Sequence, residues 1–215
     1  MTRSQFLEIL CAPALLAQQR PNPAFAPVTD EPGLPRVLLL GDSISIGYTL
    51  DVRRLLKGKA NVHRPPENCR HSGFGLERLD AWLGSGKWDV IHFNFGLHDL
   101  IVREGPDQQV PLPQYEVNLR KLVERLKKTG AKLIWCATTP IPSGTGSRKQ
   151  GEEMRYNAAA AKIMKEAGVP INDLHEFALP RLISIQLPAN VHFTPQGSAE
   201  LAAQVAAHIR TALGS

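Results

Sequence analysis

A hydroxyl opens an acyl carbonyl efficiently only when a base takes its proton and fixed N–H groups receive the charge that develops on oxygen. Two segments, separated by most of the chain, carry the first two parts. Gly41-Asp42-Ser43 follows directly on the apolar run Val37-Leu38-Leu39-Leu40. A serine there sits on a strand-to-helix turn, where glycine permits a tight bend and helix N–H groups lie open. Asp and Ser are also common helix caps, so the tripeptide alone equally admits a structural reading. A phosphate loop is a third reading, but the pattern Gly-x-x-x-x-Gly-Lys-Ser/Thr is absent. His192, in Val191-His192-Phe193-Thr194-Pro195, stands just before the last helical stretch and is the candidate base for Ser43.

Two polar loops offer the receiving N–H groups. Asn94-Phe95-Gly96-Leu97-His98-Asp99 follows a strand-like run, and Asn68-Cys69-Arg70-His71-Ser72-Gly73-Phe74-Gly75 leads into a helix. Each has a plain alternative: a turn in which Asp99 caps a helix, and an ordinary flexible connection. Thr138-Thr139-Pro140-Ile141-Pro142 is expected at the rim of the same crevice, or simply as a rigid loop. Arg155, beside it, reads as part of a solvated helix face rather than an anion contact.

The elements that must position these residues alternate strand and helix. The short continuous apolar run at 37–40 is the signature of a strand buried on both faces, as in a parallel sheet, and further strands are expected at 60–63, 90–95, 132–137 and 169–172. Between them lie helical patterns: 48–56, the Leu76-Leu79-Leu83 face, and 113–128, opened by Pro113 and followed by Gly130. Further helices are expected over 152–167 and from Pro195 onward. This order predicts a three-layer α/β/α sandwich around a mainly parallel, five-stranded sheet, with ligands beyond the carboxyl ends of the strands. The loops after Leu40, Phe95 and Ala137 meet there.

Composition narrows the function classes. The 215 residues carry a formal net charge of +5, but Lys and Arg are scattered and form no stripe of the kind a nucleic-acid groove needs. The three cysteines, Cys11, Cys69 and Cys136, include no C-x-x-C pair, so neither a zinc site nor a redox motif is expected. Cys136 reads as a core residue and Cys69 as a loop thiol, with a bridge between them left open. Arg3 followed by an apolar stretch to Ala17 resembles an export signal, with residues 18–35 as a linker and 36–215 as the folded domain. A periplasmic or secreted location is therefore expected, a cytoplasmic one if the segment is merely an N-terminal arm. No run approaches a membrane span. Trp82, Trp88 and Trp135 read as packing rather than a sugar platform.

The four chemical segments, in this order, resemble the SGNH hydrolases (GDSL-like lipases and acylhydrolases), over roughly residues 36 to 212. The resemblance implies a flavodoxin-like α/β/α fold and hydrolysis of a carboxylic ester through an acyl-enzyme. It makes Ser43 nucleophile and oxyanion donor, and His192 the base. Gly73, with Gly75 as runner-up, supplies a backbone N–H. It aligns Gly96-Leu97-His98-Asp99 with the family's Gly-x-Asn-Asp, so that His98 stands where asparagine donates to the oxyanion, and Asp99 braces the loop. Asp42 and Asn190 are supporting residues. The substrate it implies is a small-molecule or carbohydrate ester, including an acetyl ester; no metal or organic cofactor is required.

Ala189 replaces the aspartate that the family places three residues before the histidine. Three accounts stay open: Asn190 or a backbone carbonyl orients His192 in a Ser–His dyad; a distant carboxylate such as Asp173 folds in; or the chain is a weak or inactive relative. The first is favoured. The rival function is a catalytically weak or inactive SGNH-fold carbohydrate-binding protein, with a nucleotide-binding flavodoxin-like domain further behind.

Overall fold

The computed structural model describes residues 21–102 and 108–214. Five strands, β1 (Arg36–Leu40), β2 (Asn61–His63), β3 (Val90–Phe93), β4 (Lys132–Cys136) and β5 (Ile171–Asn172), form a parallel sheet in the order β2-β1-β3-β4-β5. The register sets Leu38 opposite His63 on one side and Ile91 on the other, and Leu40 opposite Phe93. The carboxyl ends of β1 and β3 are therefore level, which brings the Gly41 and Asn94 loops to one edge.

Helices α1 (Ser43–Leu55), α2 (Ser72–Leu83), α3 (Leu112–Lys127), α4 (Glu152–Ala167) and α7 (Pro195–Leu213) cover the sheet, and the short α5 (Leu174–Ala178) and α6 (Leu182–Ile185) join β5 to α7. The strands alternate between two cores, as the two-residue period of a strand requires. Val37, Leu39, Ile134 and Cys136 pack with Tyr48 and Val52 of α1 and with Val205 and Ile209 of α7. Leu38, Leu40, Ile91, Phe93 and Trp135 pack with Leu79 of α2 and with Tyr115, Leu119 and Leu122 of α3. Burial on both faces is why the run Val37–Leu40 of β1 is apolar throughout; each fully buried large side chain contributes about 1.5–3 kcal/mol. The chain is thus the three-layer α/β/α sandwich expected from its pattern.

The first helix begins five residues before the expected 48. Ile44, Ile46, Gly47 and Thr49 are weak helix formers, and two outside influences override them. The Asp42 carboxylate caps the Ile44 N–H at 2.9 Å. Gly47 also allows close approach to α7, where a Cβ would lie 3.3 Å from Ser198 Oγ. Trp82, Trp88 and Trp135 are all buried. Cys69 and Cys136 are buried free thiols, not a bridge.

The segment 1–17, read as an export signal, lies outside the described residues. Of the segment 18–35, residues from 21 onward run along the domain: Ala24 is buried, the Glu31 N–H donates to Asn61 Oδ1 at 2.8 Å, and Arg53 donates to the Ala26 carbonyl at 3.3 Å. Among the described residues no helix is long and apolar enough to cross a membrane.

Candidate functional site

The β1–α1 turn sets Ser43 at the first position of α1, half-buried. Gly41 is required there by packing, because a Cβ would come 2.8 Å from Ser45 Cβ. Beneath the turn lies Arg64, a buried guanidinium that the sequence reading missed. It donates to the Gly41 carbonyl at 3.3 Å, to Ser45 Oγ at 2.9 Å, to Thr49 Oγ1 at 3.0 Å, and to the Pro65 and Glu67 carbonyls at 3.3 and 3.4 Å. Nothing local in Val62-His63-Arg64-Pro65 marks a buried arginine, since most arginines are exposed.

Although 149 residues separate them in sequence, Ser43 Oγ and His192 Nε2 are 2.8 Å apart. The turn Leu187–Asn190, closed by the Asn190 N–H on the Leu187 carbonyl, presents the histidine. Ala189 holds a left-handed backbone with φ 50° in that turn. Asn190 Oδ1 lies 2.7 Å from His192 Nδ1 and accepts the His192 backbone N–H at 3.0 Å. That second bond fixes the amide: only its oxygen can face a backbone N–H. Nδ1 must then carry the proton and donate it to Asn190, which leaves Nε2 as an acceptor for the Ser43 hydroxyl. Asp173, the distant carboxylate considered above, caps α5 instead, accepting the Glu176 N–H at 3.0 Å.

Two open N–H groups complete the arrangement. The N–H of Ser43 and that of Gly73 at the second position of α2 have no hydrogen-bond partner among the described residues. Unpaired donors are normal for the first turn of a helix, which also concentrates positive potential there. Gly75 is spoken for: its N–H donates to the His71 carbonyl at 3.0 Å, and a Cβ would strike the Phe95 ring. Of the two glycines considered, only Gly73 is available.

Asp99 ties the third loop to the second. The Ser72 N–H donates to its carboxylate at 2.9 Å and the Ser72 hydroxyl donates to the same oxygen. Asn118 of α3, also missed from sequence, donates to Ser72 Oγ at 3.0 Å. Asp99 thus links the third loop to Ser72, the residue next to Gly73. Gly96 is compelled by the same loop, since a Cβ would overlap Thr138 Oγ1. His98 is half-buried, and its imidazole makes no hydrogen bond among the described residues. Burial, reinforced by Arg148, His71 and Arg70 and opposed by Asp42, holds its pKa below the usual value. A neutral imidazole near pH 7 still offers one N–H donor.

Burial pushes the Asp99 carboxyl up to about 7, against the lowering effect of its Ser72 bonds. An unfolded Asp titrates near ~3.9. A raised folded pKa means the stabilisation is full below about 4 and is lost as pH rises through about 7. Asp99→Asn is therefore expected to gain stability relative to the parent as pH rises from about 4 to about 7, at up to roughly 1.4 kcal/mol per unit, and to run parallel above it. Urea unfolding at several pH values checks this; parallel curves from acid to neutral would show the carboxyl titrating normally.

The other buried histidines serve structure. His92 is pushed down to about 3 by burial and meets Asn172 at 3.0 Å. His175 is raised by its bond to Glu153. Arg155 bonds Glu152 on an exposed helix face. Among the described residues no group of three His, Cys, Asp or Glu is placed to hold a metal ion.

With this geometry in view, the chain was compared with known proteins. No curated protein sequence matches it. The crystal structure of an acetyl xylan esterase, AlAXEase, superposes with TM-score 0.71 at 16% identity, covering 81% of this chain and 99% of that one. A lipase/acylhydrolase from Enterococcus faecalis gives TM-score 0.71 at 20% identity, covering 83% and 96%. Axe2, an acetylxylan esterase from Geobacillus stearothermophilus, gives 0.69 at 19% identity, covering 81% and 94%. At such identities these similarities speak to the fold. The sequence profile of the GDSL-like Lipase/Acylhydrolase family matches residues 39–200, most of the chain. The chain belongs to that GDSL-like lipase/acylhydrolase family and is an ester hydrolase of the serine type.

Proposed function

We propose that this chain hydrolyses a carboxylic ester through an acyl-enzyme on Ser43, with His192 as its base. The observation that carries the reading is the 2.8 Å contact between Ser43 Oγ and His192 Nε2 at the mouth of the sheet. Ser43 Oγ attacks the acyl carbon while its proton passes to Nε2. The N–H groups of Ser43 and Gly73, with the His98 imidazole, hold the oxyanion of the tetrahedral intermediate. Collapse expels the alkoxide, which takes the proton from His192. Water then attacks the acyl-enzyme, giving its proton to Nε2, and the acid leaves as Ser43 is restored. The acetylxylan esterases among the structural neighbours favour a small acyl group on a carbohydrate.

Asn190 performs half of the missing aspartate's work. It sets the tautomer, which an asparagine introduced into a serine-protease triad fails to do, at a cost of about 10⁴ in turnover. It lacks the charge that stabilises the imidazolium. Asn190→Leu is expected to lower kcat by about ten- to a hundredfold with little change in KM, as the hydrogen bonds to the His192 ring and backbone are both lost. Asn190→Asp keeps the acceptor and adds charge; kcat is expected to rise about threefold, a modest gain because the pair is solvent-exposed. Unchanged kcat in the leucine variant would remove Asn190 from the mechanism.

The direct test is covalent. A fluorophosphonate probe is expected to add one adduct to the purified protein, mapped to Ser43 by mass spectrometry and absent in Ser43→Ala. Absence of any adduct, with sugar binding retained in that variant, would instead support the non-catalytic carbohydrate-binding reading.

A further inference from the structure

A groove of about 720 Å³ opens beside the site, lined by Asn68, Arg70, His71, His98 and Gln109. Its lining thus includes His98, the third-loop residue assigned to the oxyanion in the mechanism proposed for Ser43. Among the described residues its lining holds a guanidinium and no carboxylate. Arg70 is exposed, its guanidinium lies 4.8 Å over the Phe74 ring, and it forms no ion pair among the described residues. Glu67, a carboxylate that feels the Arg70 charge, is occupied by Arg78 at 3.0 Å and by the Trp82 N–H at 2.9 Å. Arg148, half-buried, donates through Nε to the Leu97 carbonyl at 2.6 Å and likewise forms no ion pair among the described residues. Asp42, the carboxylate that both His98 and Arg148 feel, is buried and committed to capping α1. Arg70 and Arg148 reach the site from different loops, and the positive charge of both falls on the His98 ring.

The backbone also holds Arg70 at a cost. Its φ is 53°, a left-handed conformation that non-glycine residues rarely adopt, and the Asn68 side chain fixes it by accepting the Arg70 N–H at 2.8 Å. Strain of this kind gathers where a side chain must be aimed. Among the described residues neither guanidinium has a carboxylate partner; Arg70 lines the groove and Arg148 is bonded to Leu97, next to the groove residue His98, so together they offer a planar anion a receptor.

We propose that the groove selects esters that carry a carboxylate, with Arg70 and Arg148 as the residues that read it. This rests on the ester-hydrolase reading and adds the substrate's charge class. The carboxylate can belong to the acyl part or to the alcohol part, and paired substrates separate the two. Mono-p-nitrophenyl succinate against p-nitrophenyl butyrate tests the acyl side. 3-Acetoxybenzoate against its methyl ester tests the alcohol side.

Expected is a kcat/KM at least about fivefold higher for the anion in one of the two pairs. That preference should shrink as salt is raised from about 50 mM to about 500 mM. In Arg70→Gln and in Arg148→Met the anion-to-neutral ratio should fall toward one, with thermal melts confirming the fold; Arg70 is exposed, so its variant isolates charge from stability. Neutral esters preferred in both pairs, or ratios unmoved by both substitutions, would overturn the charge selectivity while leaving the hydrolase standing. No turnover of any ester, together with no fluorophosphonate adduct, would remove both.

Discussion

Hydrolysis of p-nitrophenyl acetate is expected to fall by about 10⁴–10⁶-fold in Ser43→Ala, and by a comparable factor in His192→Ala. The two side chains act as one unit. Without His192 the serine hydroxyl keeps its proton at neutral pH, and without Ser43 the imidazole has no nucleophile to activate. The double variant should therefore lose no more than either single one. What remains is the small acceleration from binding and from the Ser43 and Gly73 N–H groups, which neither substitution removes. Both side chains reach the surface, Ser43 half-buried and His192 exposed. Truncating them opens no cavity, and melting temperatures should stay within a few degrees of the parent. Equal rates in parent, single and double variants would place the chemistry elsewhere.

Arg64→Met is expected to cost about 3 kcal/mol of stability, read as a lower urea midpoint, and to lower kcat as well. The methionine fills much of the volume but leaves the Gly41, Pro65 and Glu67 carbonyls without the guanidinium they face. A buried acceptor left unpaired costs about 1–3 kcal/mol, so two or three of them set the scale, with partial relaxation offsetting some of it. Burial itself disfavours the Arg64 cation, and Cys69, Tyr48 and Asp42 oppose that effect. The Gly41 carbonyl belongs to the turn that carries Ser43. Its displacement should appear in kcat more than in KM. Arg64→Lys retains the charge but not the planar fork, and should recover only part of either loss. A methionine variant as stable as the parent would mean that the five bonds are offset entirely by desolvation.

The β-α alternation was legible from sequence because strand and helix write themselves locally. Val37-Leu38-Leu39-Leu40 is apolar at every position only because both faces are covered, and the Tyr115-Leu119-Leu122-Leu126 stripe repeats at helical spacing. Gly41-Asp42-Ser43 was legible for the same reason: a tight turn, a cap and a helix start are written in consecutive residues. His192 was identifiable from its place before the Pro195 helix and from family likeness. That it meets Ser43 at 2.8 Å is decided by tertiary structure, since the contact spans 149 residues and no local period reports it.

The same limit explains the remainder. Both Gly73 and Gly75 suit a helix start, and only the folded chain shows the Gly75 N–H spent on His71. Arg64 and Asn118 look like ordinary polar residues until the turn above one and Ser72 beside the other give them partners. With Ala189 in place of the usual aspartate, the sequence offers Asn190, a backbone carbonyl or a distant carboxylate as partners for His192 and cannot rank them by geometry. In the folded chain the backbone N–H of His192 turns the Asn190 amide oxygen toward the ring, 2.7 Å from Nδ1. Sequence determines which elements form, because propensity and burial act over a few residues. It leaves open which polar atoms face one another, because that depends on loops whose relative placement is settled by packing on the sheet.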